Sequence, residues 1–386
     1  MQVSKKLLEL REQAAIGRNQ WAKASGLITV LGFIALLGLP GDATAEHGGG
    51  NGRPTVDAGL AAYVPAAEVS GSLTIAGSDT MQPLMTRLAS EFRRYYPDTK
   101  IAVQGGGSDS AMEAFLQGIA ASRRGDGNYR GHLGSNRPMI LASSRPLTQH
   151  EREEARSAHG HEPLEIPIAL DAVAIYVHRD NPLQGLMLEQ VDAIFGTSRK
   201  RGLQQDITTW GQVGLADGWE QKPIHLYGRD KRSGTRTFFQ HVALMDGELK
   251  GEVKEEPGSA SEILAIARDP FGIGYAGIGF QASMVRAVPL AEAVGKPFVA
   301  ASAEAAANGT YPLRRYLYLY VNVNKAPNTE LKPVIQEFLK FVNSREGQGT
   351  AVKAGVYPLP LPEVAKNLQA LTGAATATTA ITATMN

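Results

Sequence analysis

Residues 72–83 of this chain read SLTIAGSDTMQP, a short β-rich strand whose Gly/Ser/Asp/Thr loop opens directly into an amphipathic helix. The same strand–loop–helix pattern recurs twice, with loops at 105–110 and 229–235. At such a junction the unpaired backbone N–H groups and the positive end of the helix dipole meet at one place, where anions bind. Three such junctions, the last of which begins with Arg229, predict a single oxyanion held from several sides.

The composition is that of an ordinary globular protein, with 43% hydrophobic and 20% charged residues. Its 386 residues are enough for two domains. The net charge is +1, so there is no general basic field that would bind nucleic acid or anionic lipid, and any anion specificity must be local. The absence of cysteine excludes disulfides, thiolate zinc sites and cysteine nucleophiles.

The first 45 residues have the layout of a signal peptide. An apolar run at 26–39 follows Lys23 and precedes a small-x-small cleavage site at 43–45. The run is shorter than the roughly 20 residues of a membrane-spanning helix. We therefore predict export to the periplasm with cleavage near Ala45. The alternative is a membrane anchor, because the charged segment before the run, 5–18, is unusually long.

The remainder of the chain is organised as an α/β protein. Residues 46–70 are rich in Gly, Pro and Ala and are predicted to be a linker. Residues 372–386 are a low-complexity Thr/Ala tail, which we expect to be disordered. Between these segments, predicted strands and helices alternate, which favours an α/β fold.

Two predicted strands, 167–178 and 316–323, differ from the others because they are nearly continuously apolar. If these strands connect two lobes, one lobe consists of 71–168 with 313–371 and the other of 169–312. A ligand cleft then lies between the lobes, where open α/β sheets bind their ligands.

Arg229 is the first candidate for an anion-binding residue, because a guanidinium offers a rigid fork of donors that matches phosphate oxygens. The alternative is a surface arginine, since residues 230–232 are also charged. Ser233 is expected to cap the helix that follows, and Gly234 to let the backbone approach a ligand closely.

Seven short motifs follow one another within residues 71–360. They are Gly77–Met81, Gly106–Ser108, Ala142–Leu147, Leu188–Phe195, Thr209-Trp210, the Arg229-x-x-x-Ser233-Gly234-Thr235 motif and Gly272–Tyr275. In this order and spacing they resemble the periplasmic phosphate-binding proteins of ABC transporters. The resemblance implies a type II two-lobed fold with two hinge-crossing strands. It also implies delivery of inorganic phosphate to a membrane permease with its ATPase subunits.

The resemblance also implies the ligands of the phosphate, among them the backbone N–H of Met81. The expected set is Asp79, Thr80, Met81, Ser108, Ser144, Arg145, Arg229, Ser233, Gly234 and Thr235. For Thr80 and Ser108 the alternative role is helix capping. Arg145 could bind the anion directly or brace its loop.

The sequence departs from one branch of the family at Ser144, where that branch has an aspartate. A carboxylate there accepts the proton of monohydrogen phosphate and repels a fully ionised oxyanion, so it discriminates against sulfate. Asp79 or Asp109 could supply this acceptor instead, and Asp79 is preferred because it directly precedes Thr80. The alternative for both is a cap or a solvated loop residue.

Binding explains these loops without catalysis. Five or six charge-assisted hydrogen bonds at roughly 1.5–3 kcal/mol each exceed the about −8 kcal/mol of a micromolar complex, so neither a metal nor a cofactor is expected. No activated nucleophile beside a base is recognisable. We therefore predict a monomeric phosphate receptor that is not an enzyme. The alternatives are a receptor for sulfate or another oxyanion, a secreted phosphatase, and a scaffold that binds no phosphate.

Overall fold

A computed structural model of the chain describes residues 54–66, 68–124, 138–323 and 331–382. The predicted signal peptide at 1–45 lies outside these residues, as does the start of the predicted linker. None of the helices in this part of the chain is both long and apolar enough to cross a membrane.

The secondary structure of the described residues alternates as the sequence predicts. The strands are β1 (Gly71–Gly77), β2 (Thr99–Gln104), β3 (Ile140–Ser143), β4 (Leu164–His178), β5 (Leu186–Met187), β6 (His225–Arg229), β7 (Lys254–Glu256), β8 (Gly272–Gly277), β9 (Val285–Val288), β10 (Leu290–Ala291) and β11 (Arg314–Val321). The helices are α1 (Gln82–Tyr95), α2 (Ser108–Arg124), α3 (Gln149–His159), α4 (Leu188–Phe195), α5 (Gly234–Ala243), α6 (Ser259–Ile266), α7 (Ala303–Asn308), α8 (Pro333–Val342), α9 (Arg345–Lys353) and α10 (Leu361–Thr382). A short 3-10 helix covers Trp210–Val213.

The first strand–loop–helix unit shows how the sequence pattern produces its structure. In α1, Leu84, Leu88 and Phe92 recur at helical spacing and form a buried stripe. Pro83 lies in the first turn, where a missing N–H leaves no intrahelical bond unmade. The helix therefore packs its apolar face on the core and presents its N-terminus to the loop at the end of β1.

One sheet of nine strands runs through the described residues, in the order β2-β1-β3-β11-β4-β8-β6-β7, with β9 also paired to β4. The pairs of β1 with β2 and β3 are parallel, as are those of β6 with β7 and β8. β11 is antiparallel to both β3 and β4. β4 pairs with β11 along its first part and with β8 and β9 along its second part, so β4 and β11 connect the two halves of the sheet.

The core is divided between two large clusters of buried apolar side chains. β4 contributes Ile166 and Ile168 to one cluster and residues 172–177 to the other. Leu313 lies in the second cluster, whereas Leu317, four residues later on β11, lies in the first. The fold is therefore the two-lobed α/β architecture that the sequence predicts, and β4 and β11 are its crossing strands.

The last helix, α10, continues to Thr382 and so includes the first residues of the tail that the sequence predicts to be disordered, 372–386. This stretch contains four alanines, which favour a helix, beside five threonines and Gly373, which do not, and it contains no proline. It also extends a helix that is already packed through Leu371. Residues 383–386 of the predicted tail lie outside the described chain.

The described part of the predicted linker, from residue 54 onward, has neither helix nor strand before β1, but it is attached to the fold. Leu60 is 1% exposed. The backbone N–H of Tyr63 donates to Glu346 (2.6 Å), and its hydroxyl donates to Glu337 (3.0 Å). These contacts hold the segment against the rest of the fold.

Candidate anion-binding site

Five buried hydroxyl groups meet at the ends of the loops, and we call them the hydroxyl cluster. They belong to Thr80, Ser108, Ser144, Thr235 and Ser259, all of which are at most 5% exposed. Thr80 Oγ1 lies 2.9 Å from Thr235 Oγ1 and 3.5 Å from Ser259 Oγ. Ser144 Oγ lies 3.2 Å from Ser108 Oγ and 3.5 Å from Thr235 Oγ1. Five separate loops thus supply one polar site.

Helix N-termini surround the hydroxyl cluster. α2 begins at Ser108 and α6 at Ser259. α5 begins one residue before Thr235, and α1 begins two residues after Thr80. The first N–H groups of a helix have no intrahelical partner, and the helix dipole is positive there. The hydroxyls and the helix ends together therefore favour an anion.

Arg229 lies at the hydroxyl cluster and is 1% exposed. Its Nη1 donates to Ser259 Oγ (2.9 Å), and its Nη2 donates to Asp79 Oδ2 (3.2 Å) and to the carbonyl of Pro257 (3.1 Å). Its Nε has no hydrogen-bond partner among the described residues. The guanidinium thus places a buried positive charge beside the hydroxyls, as the sequence predicts for an anion-binding arginine.

Two other predicted ligands make local bonds in this structure. The N–H of Met81 donates to the carbonyl of Ser78 (3.1 Å), and the Met81 side chain is part of the core. Ser233 is the N-cap of α5, where its side chain accepts from the N–H of Arg236 (3.4 Å). The contacts of both residues shape the loops around the hydroxyl cluster.

Arg145 is directed to carboxylates rather than to the hydroxyl cluster. Its Nε donates to Asp109 (2.8 Å), and its two terminal nitrogens donate to the two oxygens of Glu151 (2.8 and 2.6 Å). Burial disfavours the charge of Arg145, but Glu151 and Asp109 outweigh this effect and raise its pKa. Of the two roles that the sequence allows for Arg145, these contacts fit the bracing of the loop, and direct ligation stays a prediction.

The two candidate proton acceptors have different neighbours. Asp79 accepts from Arg229 and, through Oδ1, from the N–H of Gly106 (2.8 Å). Asp109 accepts from Arg145 and from the hydroxyl of Thr237 (2.6 Å). Asp79 therefore contacts the buried arginine of the site, whereas Asp109 belongs to the brace around Arg145.

Sequence reasoning missed three residues of this site. Ser259 repeats the predicted pattern, because it follows β7 and a glycine and begins α6. Asp171 and Arg315 form an ion pair within the crossing strands, and Arg315 also donates to Thr235 Oγ1 (3.0 Å). The available signal was a single carboxylate inside the apolar run 167–178, since a buried charge requires a partner.

Glu262 on α6 is a buried carboxyl group near Arg229. It is 0% exposed, and its Oε1 accepts from the N–H of Tyr275 (2.7 Å). Burial raises the pKa of Glu262 to about 8, although the Tyr275 N–H and the charge of Arg229 act to lower it. Burial thus favours the neutral form of Glu262, and the carboxylate that pairs with Arg229 is Asp79.

An anion site among helix N-termini on a two-lobed α/β fold defines a solute-binding protein. The family model described as "PBP superfamily domain" matches residues 64–346. The phosphate-binding protein PstS of Pseudomonas aeruginosa is 40% identical over 349 residues, which cover 90% of this chain and 99% of that protein. The chain therefore belongs to the PBP superfamily and, within it, to the family of the PstS phosphate-binding proteins.

Other relatives agree with this assignment. The PstS protein of Staphylococcus saprophyticus is 28% identical over 338 residues, covering 86% of this chain and 88% of that protein. The crystal structure of an ABC-type phosphate transport receptor from Vibrio cholerae superposes with a TM-score of 0.54 at 23% identity, covering 75% of this chain and 100% of the other. The last comparison concerns the fold alone.

Proposed function

We propose that this protein binds inorganic phosphate at the hydroxyl cluster and Arg229, and delivers it to the permease and ATPase subunits of an ABC importer. The observation that carries the proposal is that five hydroxyls, a buried guanidinium and helix N-termini meet at one place. These groups are the donors that match phosphate oxygens. The PstS relatives, which are named phosphate-binding proteins, support the same ligand.

The proposed ligands differ from the set expected from the sequence. They are Thr80, Ser108, Ser144, Arg229, Thr235 and Ser259, with the backbone at Gly234 and Asp79 as an acceptor. Met81, Ser233 and Arg145 hold the loops in place instead. The charge of Arg229 is the strongest attraction, because hydrogen bonds to charged groups contribute about 1.5–3 kcal/mol each.

The site is proposed to lie between two lobes, 71–168 with 313–371 and 169–312. The division of the core at β4 and β11 supports these bounds. Thr80, Ser108 and Ser144 then belong to one lobe, and Arg229, Thr235 and Ser259 belong to the other. Hinge bending about β4 and β11 would bring these two groups of donors together around the anion.

We propose a binding role without catalysis. The serines of the cluster contact other hydroxyls, and none has a histidine or carboxylate among the partners described above to take its proton. Within the described residues, no group of three or more His, Cys, Asp or Glu side chains could hold a metal ion.

We further propose export to the periplasm, which rests on the leader sequence at 1–45.

Calorimetry of the phosphate-free protein against phosphate, sulfate and arsenate tests this proposal. We expect phosphate to bind with micromolar or tighter affinity, about −8 kcal/mol or better, and sulfate not to compete. Binding of sulfate in preference to phosphate would indicate a receptor for another oxyanion, and no binding of either would indicate a scaffold. Release of phosphate from a phosphomonoester would reveal a phosphatase.

Asp79→Asn is expected to weaken phosphate binding and to relax the rejection of sulfate, each by about 1–3 kcal/mol, the cost of one mispaired polar contact. The carboxylate accepts from Arg229 and Gly106, so it lies where it could also accept the proton of monohydrogen phosphate. Asparagine removes the negative charge that would repel sulfate. The measurement is the ratio of phosphate and sulfate affinities by calorimetry.

Asp109→Asn is the matched control, because Asp109 contacts Arg145 and Thr237 instead of Arg229. Its ratio of phosphate to sulfate affinity should stay at the wild-type value. If the ratio moves in Asp109→Asn but not in a folded Asp79→Asn variant, the acceptor is Asp109.

A further inference from the structure

Arg315 and Asp171 form a buried ion pair between the two crossing strands. They are directly opposite each other in the antiparallel pairing of β11 with β4. Arg315 is 4% exposed and Asp171 is 0% exposed. Nε and Nη2 of the arginine donate to Asp171 Oδ2 (2.9 and 2.7 Å), and Asp171 Oδ1 accepts from the N–H of Ile278 (3.3 Å). The guanidinium is thus fixed in one orientation.

The third nitrogen of this guanidinium reaches the hydroxyl cluster. Arg315 Nη1 donates to Thr235 Oγ1 (3.0 Å), and the guanidinium carbon lies 5.4 Å from the centre of the Phe238 ring. Thr235 and Phe238 both belong to α5, which begins at the site. A crossing strand is therefore in direct contact with the helix that supplies one of the proposed phosphate ligands.

The contact determines what the Thr235 hydroxyl can do. A guanidinium has donors only, so Thr235 Oγ1 must be the acceptor of this bond. A threonine hydroxyl has one proton and two lone pairs, and Arg315 occupies one lone pair. The proton of Thr235 is then left for its neighbours or a ligand, and a hydroxyl that accepts from a charged group becomes a better donor.

We propose that Arg315, held by Asp171, is a positioning residue that orients the Thr235 hydroxyl as a donor to the bound oxyanion. This inference rests on the proposed function, because it assigns a role within the same phosphate site. Arg229 supplies direct charge on one side of the hydroxyl cluster, and Arg315 acts on the other side through Thr235. Asp171 pairs with Arg315, as Asp79 pairs with Arg229, so the second guanidinium strengthens a donor without adding net charge to the site.

A double-mutant cycle distinguishes this role from a merely structural one. Phosphate affinity is measured by calorimetry for the wild type, Arg315→Lys, Thr235→Val and the double variant. Lysine cannot contact Asp171 and Thr235 with the same fork of donors. Arg315→Lys should therefore weaken phosphate binding roughly tenfold, which corresponds to the loss of about one hydrogen bond. In the Thr235→Val background, where no hydroxyl remains to be oriented, the same change should alter the affinity less than about twofold.

Additive losses in the two backgrounds would overturn the proposal, because they would mean that Arg315 does not act through Thr235. An affinity of Arg315→Lys equal to that of the wild type would overturn it as well. If the wild type itself binds no phosphate, the proposed function fails instead, so the two failures can be told apart. Arg152→Lys is the control, since Arg152 pairs with Glu162 and Glu165 outside the site.

A second variant keeps the test valid if Arg315→Lys does not fold. Arg315→Gln combined with Asp171→Asn replaces the ion pair by a neutral amide pair, which leaves no unpaired buried charge. This variant is expected to fold, as judged by thermal unfolding, and to bind phosphate roughly tenfold more weakly than the wild type. Wild-type affinity in this folded variant would contradict the role of Arg315.

Discussion

Arg229→Ala is expected to reduce the affinity for phosphate roughly 100-fold or more, because at least two charge-assisted bonds of about 1.5–3 kcal/mol each are lost. Arg229 is 1% exposed and contacts Ser259 and Asp79 at the hydroxyl cluster. The fold should persist, since Asp79 keeps the bond from the Gly106 N–H and its side chain is 21% exposed. Calorimetry and thermal unfolding measure the two effects separately.

Two further variants sharpen this test. Arg229→Lys keeps the charge but loses the bidentate geometry, so it should recover only part of the affinity. Arg232→Ala is the control from the same loop, because its side chain is 49% exposed and pairs with Asp230. Wild-type affinity in a folded Arg229→Ala variant would show that the anion is bound elsewhere.

The sequence predicts most of the fold because its local patterns agree with one another. The stripe of Leu84, Leu88 and Phe92 predicts α1, and the apolar runs predict the crossing strands β4 and β11. Fully buried strands are continuously apolar, so their position in the centre of the sheet is also visible in the sequence. The helical continuation of α10 over 372–382 is not indicated by the sequence, since five threonines and Gly373 disfavour a helix there.

The site is predictable only where a residue lies in a loop with a recognisable pattern. Thr80, Ser108 and Thr235 meet as the three junctions predict. Arg315 was missed because its role depends on strand register, which places it opposite Asp171 and beside α5. Register is set by long-range pairing, and no motif near Arg315 indicates it.

Arg145 has two predicted roles that the sequence does not separate. It directly follows Ser144 in a motif of the family, and from the sequence alone a ligand and a brace have the same appearance. The difference lies in Glu151, six residues later, whose side chain also forms the capping box of α3 with Thr148. A carboxylate fixed at a helix start holds the guanidinium, and this could be recognised only once α3 was placed against the loop.

Gly234→Ala is expected to weaken phosphate binding roughly 10- to 100-fold, because inserting a methyl group into a tightly packed contact costs about 1–3 kcal/mol. A Cβ at this position would lie 2.6 Å from Ser108 Cβ and Oγ and 3.1 Å from Ser144 Oγ. α5 would have to move away from these serines, which separates Thr235 from the rest of the hydroxyl cluster.

The stability of this variant distinguishes a clash between lobes from a clash inside one lobe. If Gly234 and Ser108 belong to different lobes, opening of the hinge relieves the contact, so the melting temperature without phosphate should stay near the wild-type value. X-ray scattering should then show less compaction on addition of phosphate than in the wild type. Gly349→Ala is the control, because Gly349 lies within α9 and a Cβ there meets open space. A Gly234→Ala variant that binds phosphate as tightly as the wild type would mean that α5 does not approach Ser108 in the bound protein.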